Sequence, residues 1–208
     1  ISEAIEKSSY KVGEDIYFAL DAAASEFFKD GKYYLNDVQT YLNTDELMDY
    51  WSILIKNYPI ISIEDPFDED DIAGFKKFTT LFGKKSQIVG DDLFVTSEKK
   101  LIEGINENAG NSILIKLNQV GSLTETLNTI STAKKHNFST IISHRSGETE
   151  DTFISDLCVG TNAGQIKTGS LSRSDRTSKY NQLLRIEEEL GEEGMFLGKQ
   201  ILKIINKS

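Results

Sequence analysis

Six short apolar runs, each closing on or containing a charged or titratable side chain, constrain this sequence more than any other feature. They are residues 16–21 (Ile-Tyr-Phe-Ala-Leu-Asp), 60–65 (Ile-Ile-Ser-Ile-Glu-Asp), 87–92 (Gln-Ile-Val-Gly-Asp-Asp), 112–116 (Ser-Ile-Leu-Ile-Lys), 140–144 (Thr-Ile-Ile-Ser-His) and 165–168 (Gln-Ile-Lys-Thr). Runs this short, rich in β-branched residues and without polar alternation, suit parallel strands buried on both faces. Between them lie stretches with helical spacing. Leu47, Met48, Trp51, Leu54, Ile55 and Tyr58 follow Thr44, which the pattern places as an N-cap. Ile72, Phe75, Phe78 and Leu81 form a second stripe; Leu101, Ile102 and Ile105 a third; Leu123, Leu127, Ile130 and Ala133 a fourth. Ile154, Leu157 and Cys158 mark a fifth helix and residues 180–190 a sixth. These stripes read as core-facing faces.

Alternating strands and helices imply right-handed crossovers and a parallel α/β sheet. Six units fit either an incomplete (β/α)₈ barrel or an open doubly wound sheet. No Gly-x-Gly-x-x-Gly turn follows the first run, which disfavours a dinucleotide fold. The chain shows no internal repeat and no Pro-rich linker, and its only prolines are Pro59 and Pro66.

Charge narrows the function further. The net charge of −10 over 208 residues argues against direct nucleic-acid binding, which needs a cationic face. Cys158 is the only cysteine, so no internal disulfide can form, and its apolar surroundings suggest a buried structural thiol. So little cysteine fits a reducing compartment such as the cytoplasm. No apolar run approaches the roughly 20 residues of a membrane span. The first residues are neither basic nor a long apolar stretch, so no signal peptide is expected. Residue 1 is Ile rather than Met, a hint that it is not the natural start.

The polar residues carry the chemistry. Asp21, Glu64, Asp91, Lys116 and His144 stand at or next to the ends of five runs, and Lys167 lies in the sixth. In a β/α barrel those ends converge on one mouth, where active sites are built. A charge at the end of a buried run is costly to desolvate unless it is paired or metal-bound. Three carboxylates from three strands form a hard, all-oxygen ligand set that suits Mg²⁺. With only two histidines, one of them His136 in a basic run, a histidine-rich zinc site is disfavoured. Lys116 reads equally as a counter-ion to the acids or as a general base, since a neighbouring divalent cation disfavours its ammonium form. Residues 143–151 (Ser-His-Arg-Ser-Gly-Glu-Thr-Glu-Asp) offer several donors to an anion, with Arg145 able to grip phosphate through two nitrogens. The absence of a Gly-x-Ser-x-Gly elbow disfavours acyl transfer.

In sequence order, residues 19–32 (Ala-Leu-Asp-Ala-Ala-Ala-Ser-Glu-Phe-Phe-Lys-Asp-Gly-Lys), 62–71 (Ser-Ile-Glu-Asp-Pro-Phe-Asp-Glu-Asp-Asp) and 89–96 (Val-Gly-Asp-Asp-Leu-Phe-Val-Thr) resemble the third, fourth and fifth barrel-strand segments of enolases. Residues 115–122 (Ile-Lys-Leu-Asn-Gln-Val-Gly-Ser), 143–152 and 164–169 (Gly-Gln-Ile-Lys-Thr-Gly) resemble the sixth, seventh and eighth, and 181–190 a helix near the enolase C-terminus. The resemblance spans nearly the whole chain. It implies an enolase-type TIM barrel, incomplete here at about strands 3–8. It also implies phosphopyruvate hydratase activity, the interconversion of 2-phosphoglycerate with phosphoenolpyruvate and water in glycolysis and gluconeogenesis. By the same resemblance, Asp21, Glu64 and Asp91 bind the first of two Mg²⁺ ions. Asp91 is preferred to Asp92 because Lys116 follows it by 25 residues, as in the family pattern. Lys116 then removes the C2 proton, Lys167 binds the substrate carboxylate, and His144, Arg145 and Ser146 line the substrate site with Arg145 on the phosphate.

The family's N-terminal capping domain and first two barrel strands, which supply the general-acid glutamate and ligands for the second metal, are not matched. The expectation is a chain that is inactive and poorly folded by itself. The resemblance further implies a cytoplasmic homodimer or octamer. Other members of the enolase superfamily keep three acids but rarely the Ser-His-Arg-Ser segment. A binding role is the alternative: family members occur at bacterial and parasite surfaces, where they bind plasminogen through lysines, and in RNA-degrading assemblies. The tail, residues 199–208, carries lysines suited to such a role.

Overall fold

The computed structural model describes residues 1–36, 39–198 and 200. The lysine-bearing tail otherwise lies outside the described residues. A short helix α1 (Ser2–Lys7) precedes the first strand, β1 (Phe18–Asp21). From β1 the chain makes a small antiparallel meander of β2 (Phe28–Lys29), β3 (Lys32–Leu35) and β4 (Thr40–Leu42). The strand-and-helix alternation then begins. Helix α2 (Thr44–Asn57) leads to β5 (Ile60–Glu64), α3 (Ile72–Phe82) to β6 (Gln87–Gly90) and α4 (Glu98–Glu107) to β7 (Ser112–Ile115). The turn α5 (Leu117–Val120) and helix α6 (Leu123–Lys135) lead to β8 (Ser139–Ser143). Helix α7 (Phe153–Gly160), strand β9 (Ile166–Lys167) and helix α8 (Ser174–Leu190) complete the order.

Six strands form one sheet in the order β1-β5-β6-β7-β8-β9, with every neighbouring pair parallel. All four residues of β6 and of β7 are buried, as strands covered on both faces require. The sheet curls. β1 and β9 are its opposite edges, yet the Lys167 ammonium on β9 reaches Asp21 on β1 at 2.7 Å and Glu64 on β5 at 2.8 Å. This is an incomplete β/α barrel whose strand ends share one mouth, as the sequence pattern and the resemblance imply.

Strands β1, β5 and β9 end on Asp21, Glu64 and Lys167, whereas β6, β7 and β8 stop one residue before Asp91, Lys116 and His144. Asp91, Lys116 and His144 thus lie just past the ladder, in the loops that build the mouth. The helical stripes are narrower than expected. In α3, Phe75 and Phe78 are buried while Ile72 and Leu81 are exposed, and in α6 Thr126 and Thr129 are buried where Leu123 and Leu127 are not. Periodicity alone does not show where the sheet curves away from a helix. Thr44 is not the N-cap of α2: Asn43 is. Its side chain accepts from the Glu46 N–H, and Glu46 accepts in return from the Asn43 N–H. The Thr44 hydroxyl instead donates to Asp71. Helix α8 begins at Ser174, six residues earlier than its apolar stripe suggests, because its first turns bury cations rather than hydrophobes. Among the described residues, no helix is long and apolar enough to cross a membrane.

Candidate active site

A cavity of about 630 Å³ opens at the mouth. Asp21, Asp91, Lys116, His144, Arg145, Ser146 and Lys167 line it, and Glu64 lies buried beneath, bonded to Lys167. The structure thus brings all eight residues singled out in the sequence to one place. It adds Glu26, Asp65, Asp92, Asn118 and Ser143, which the sequence reading did not select.

The acids are set by backbone register. Asp21 and Glu64 are partners across β1 and β5, so their carboxylates emerge side by side. Lys167 holds both with one ammonium. Burial pushes the Glu64 carboxyl up to about 7, and the hydrogen bond and charge of Lys167 only partly oppose it. Burial also works against the Lys167 ammonium, but the hydrogen bonds and charges of its two acids outweigh that and leave its pKa raised. One cation therefore serves two acids, the deeper of which remains underpaid in positive charge.

A second group forms around Asp91. Its Oδ2 accepts from the Lys116 ammonium and its Oδ1 from the Gln119 side chain at 3.3 Å. The Thr96 hydroxyl donates to Gln119 Oε1 at 2.7 Å and accepts from the Lys116 N–H at 2.9 Å. Thr96 thereby ties the Lys116 backbone to the Asp91 carboxylate. It does so from the left-handed region, φ 57°, next to Val95 at φ 42°. Two consecutive β-branched residues in that region are strained, a condition that persists where surrounding bonds over-determine it.

Asp65 has a different task. At φ 42° its chain turns sharply after β5, and its two carboxylate oxygens accept from the N–H groups of Asp91 and Asp92 at 2.9 and 2.8 Å. Burial raises its pKa to about 7, and burial with the Asp91 charge raises that of Asp92. Among the described residues, Asp65, Asp91 and Asp92 are the acids whose oxygens all lie within 4.8 Å of one another. Such a cluster of hard oxygen donors, beside a Glu64 short of positive charge, fits a divalent cation such as Mg²⁺. Asp65 spends one lone pair of each oxygen on the backbone, which suits it to aiming its neighbours.

The loop after β8 forms the opposite wall. The His144 backbone N–H donates to the Lys167 carbonyl at 3.0 Å, and burial followed by the nearby Arg176 charge lowers the side chain's pKa, favouring neutral imidazole. Its Nδ1 is buried without a partner among the described residues. Arg145 is half-buried, donates to Asn118 Oδ1 at 3.2 Å and lines the cavity. Acids, two lysines and an arginine thus share one polar cavity, an arrangement that can hold a cation and move protons.

Asp65 could have been found from Glu64-Asp65, two adjacent acids at a strand end, of which only one can point along the strand face. Asn118 and Gln119 gave no signal beyond following Lys116. Comparison with known families gives one match over nearly the full chain: the family model described as the enolase C-terminal TIM barrel domain matches residues 1–205.

Proposed function

The chain belongs to the enolase C-terminal TIM barrel family, and from that premise we propose that it carries the proton-abstracting and Mg²⁺-binding part of a phosphopyruvate hydratase site. The substrate pair is 2-phospho-D-glycerate and phosphoenolpyruvate plus water. One observation carries the reading: two lysines, one on β9 and one just past β7, converge on acids from three other strands, facing a loop with an arginine.

The chemistry follows from the residues. A proton at C2, next to a carboxylate, is very weakly acidic because its loss places a second negative charge on that group. Lys116 in its amine form takes this proton through Nζ. The electron pair moves toward the carboxylate, where the Lys167 ammonium stands ready in a fixed position and costs no reorganisation. Arg145 and Ser146 hold the phosphate, and neutral His144 orients the substrate. Asp21, Glu64 and Asp91 would hold the metal, while Asp65, whose two oxygens each accept from a backbone amide, fixes the strand end that bears Asp91 and Asp92. Bound Mg²⁺ supplies concentrated positive charge for the carboxylate as it becomes dianionic. Hydroxide leaves C3 as water once a general acid has protonated it.

The test uses the complete protein that carries these residues. With 2-phosphoglycerate and Mg²⁺ it should form phosphoenolpyruvate, read by ultraviolet absorbance of the enol. Lys116→Met should remove about 10³-fold or more of the rate with the fold intact. Wild-type turnover by Lys116→Met, or no turnover by the parent protein, would overturn the proposal.

A further inference from the structure

The first half of α8 buries two side chains, and both are cations: Arg176 is 8% exposed and Lys179 1%. Lysine is almost never so buried unless its charge is paired. Here each cation has one acid at its edge. Glu148 lies 3.8 Å from the Lys179 ammonium, beyond hydrogen-bond reach, and Asp175 touches only the Arg176 Nε side at 3.3 Å. The remaining donors go to backbone carbonyls. The two terminal nitrogens of Arg176 donate to the carbonyls of Arg145 and Ser146, each at 3.0 Å. The Lys179 ammonium donates to the carbonyl of Thr149 and, at 2.8 Å, to that of Asp175.

Three carbonyls of the loop 145–149 are therefore held from behind by one helix. The same helix also grips the loop after β9. The Tyr180 hydroxyl donates to the Gly169 carbonyl, and Arg176 passes so close to Gly169 that a Cβ there would lie 2.8 Å from its Cδ. Helix α8 is itself fixed to α7, where the Ser155 hydroxyl donates to the Lys179 carbonyl at 2.9 Å. Two carbonyls in succession match the planar fork of a guanidinium and not the single point of an ammonium. Buried cations are poor devices for stability and better suited to fixing one arrangement.

We propose that Arg176 and Lys179 are positioning residues. They clamp the backbone of residues 145–149 so that the Arg145 and Ser146 side chains stand over the mouth in the geometry that binds the anionic end of the substrate. The clamp rests on the proposed reaction only for the identity of that anion.

The experiment compares Arg176→Lys, Lys179→Met and Gly169→Ala in the complete protein. The last reaches the clamp from its far side and removes no donor. Backbone amide exchange of residues 145–152 should quicken about 10-fold in each, while amides of β5–β8 keep their protection. For Arg176→Lys, the KM for 2-phosphoglycerate should rise about 10-fold with kcat changed less than about 3-fold, the mark of lost substrate binding. Unchanged exchange in the loop, or exchange quickened equally across the strands, would reduce both residues to helix packing and overturn the proposal. A parent protein with no turnover would sink the assigned reaction, while the exchange result would still judge the clamp.

Discussion

The two ends of the parallel strands are built from different chemistry. At the mouth, Asp21, Glu64, Asp91, Lys116 and Lys167 bring full charges together, and burial displaces the pKa of Glu64 and Asp65 to about 7. At the opposite end the buried polar groups are neutral and satisfied. Asn111 accepts from the Ile88 N–H and the Ser112 hydroxyl, and donates to the carbonyls of Gly83 and Ser86. Gln87 donates to Ser139, whose hydroxyl also pairs with Ser112 at 2.5 Å. One end closes its hydrogen bonds within itself; the other leaves charge in excess, ready for something that is not protein. The contrast matches the division of labour in β/α barrels, with stability at one face and chemistry at the other.

The comparison breaks most decisively if a mouth charge can be removed without loss of function. Lys167→Met should lower kcat/KM for 2-phosphoglycerate dehydration in the complete protein by about 10³-fold, about 4 kcal/mol of transition-state stabilisation. A loss under tenfold would make Lys167 a mere counter-ion to Asp21 and Glu64. The converse holds at the other end. Asn111→Ala should cost about 3 kcal/mol in urea unfolding, because it strands buried backbone groups, and leave Mg²⁺ affinity by calorimetry unchanged. A weakened metal affinity would show that the two ends are not separate.

The mouth should also reveal itself through pH. Glu64 and Asp65 have folded pKa values near 7 against ordinary values of 4.5 and 3.8, so the folded state binds more protons between those limits. Stability of the metal-free protein should be highest near the low end of that window and fall by several kcal/mol as pH rises toward 7, levelling off above it. Saturating Mg²⁺ should flatten the fall. Unfolding free energy that is flat or rises over the window without metal would contradict the burial of these acids. Smallest of all, Lys77→Ala, which breaks an exposed pair with Asp45, should change stability by less than about 0.5 kcal/mol. That variant calibrates how little a charge matters when water surrounds it.

This contrast also explains what the sequence disclosed. Acids and bases at the ends of apolar runs are visible because charge there is costly, so the strands, their parallel order and the residues of the mouth were readable together. The meander β2–β4 was missed because its strands are two to four residues long, too short for the cross-strand pair Tyr34 and Tyr41 to show a pattern. Arg176 and Lys179 were missed for a better reason. On a helix, cations read as a solvated face, and only the loop they bind makes them interior. Asp65 was read as the end of a strand, since its carboxylate serves two amides that are distant in sequence.

Loss of hydrogen from C2 of 2-phosphoglycerate is the step that Lys116 is assigned, and it can be watched apart from water loss. In deuterium oxide with Mg²⁺, the complete protein should exchange the C2 hydrogen, and Lys116→Met should exchange about 10³-fold more slowly while folding as before. Exchange by Lys116→Met at the parent rate would contradict the account, because the proton would then be leaving to some other group.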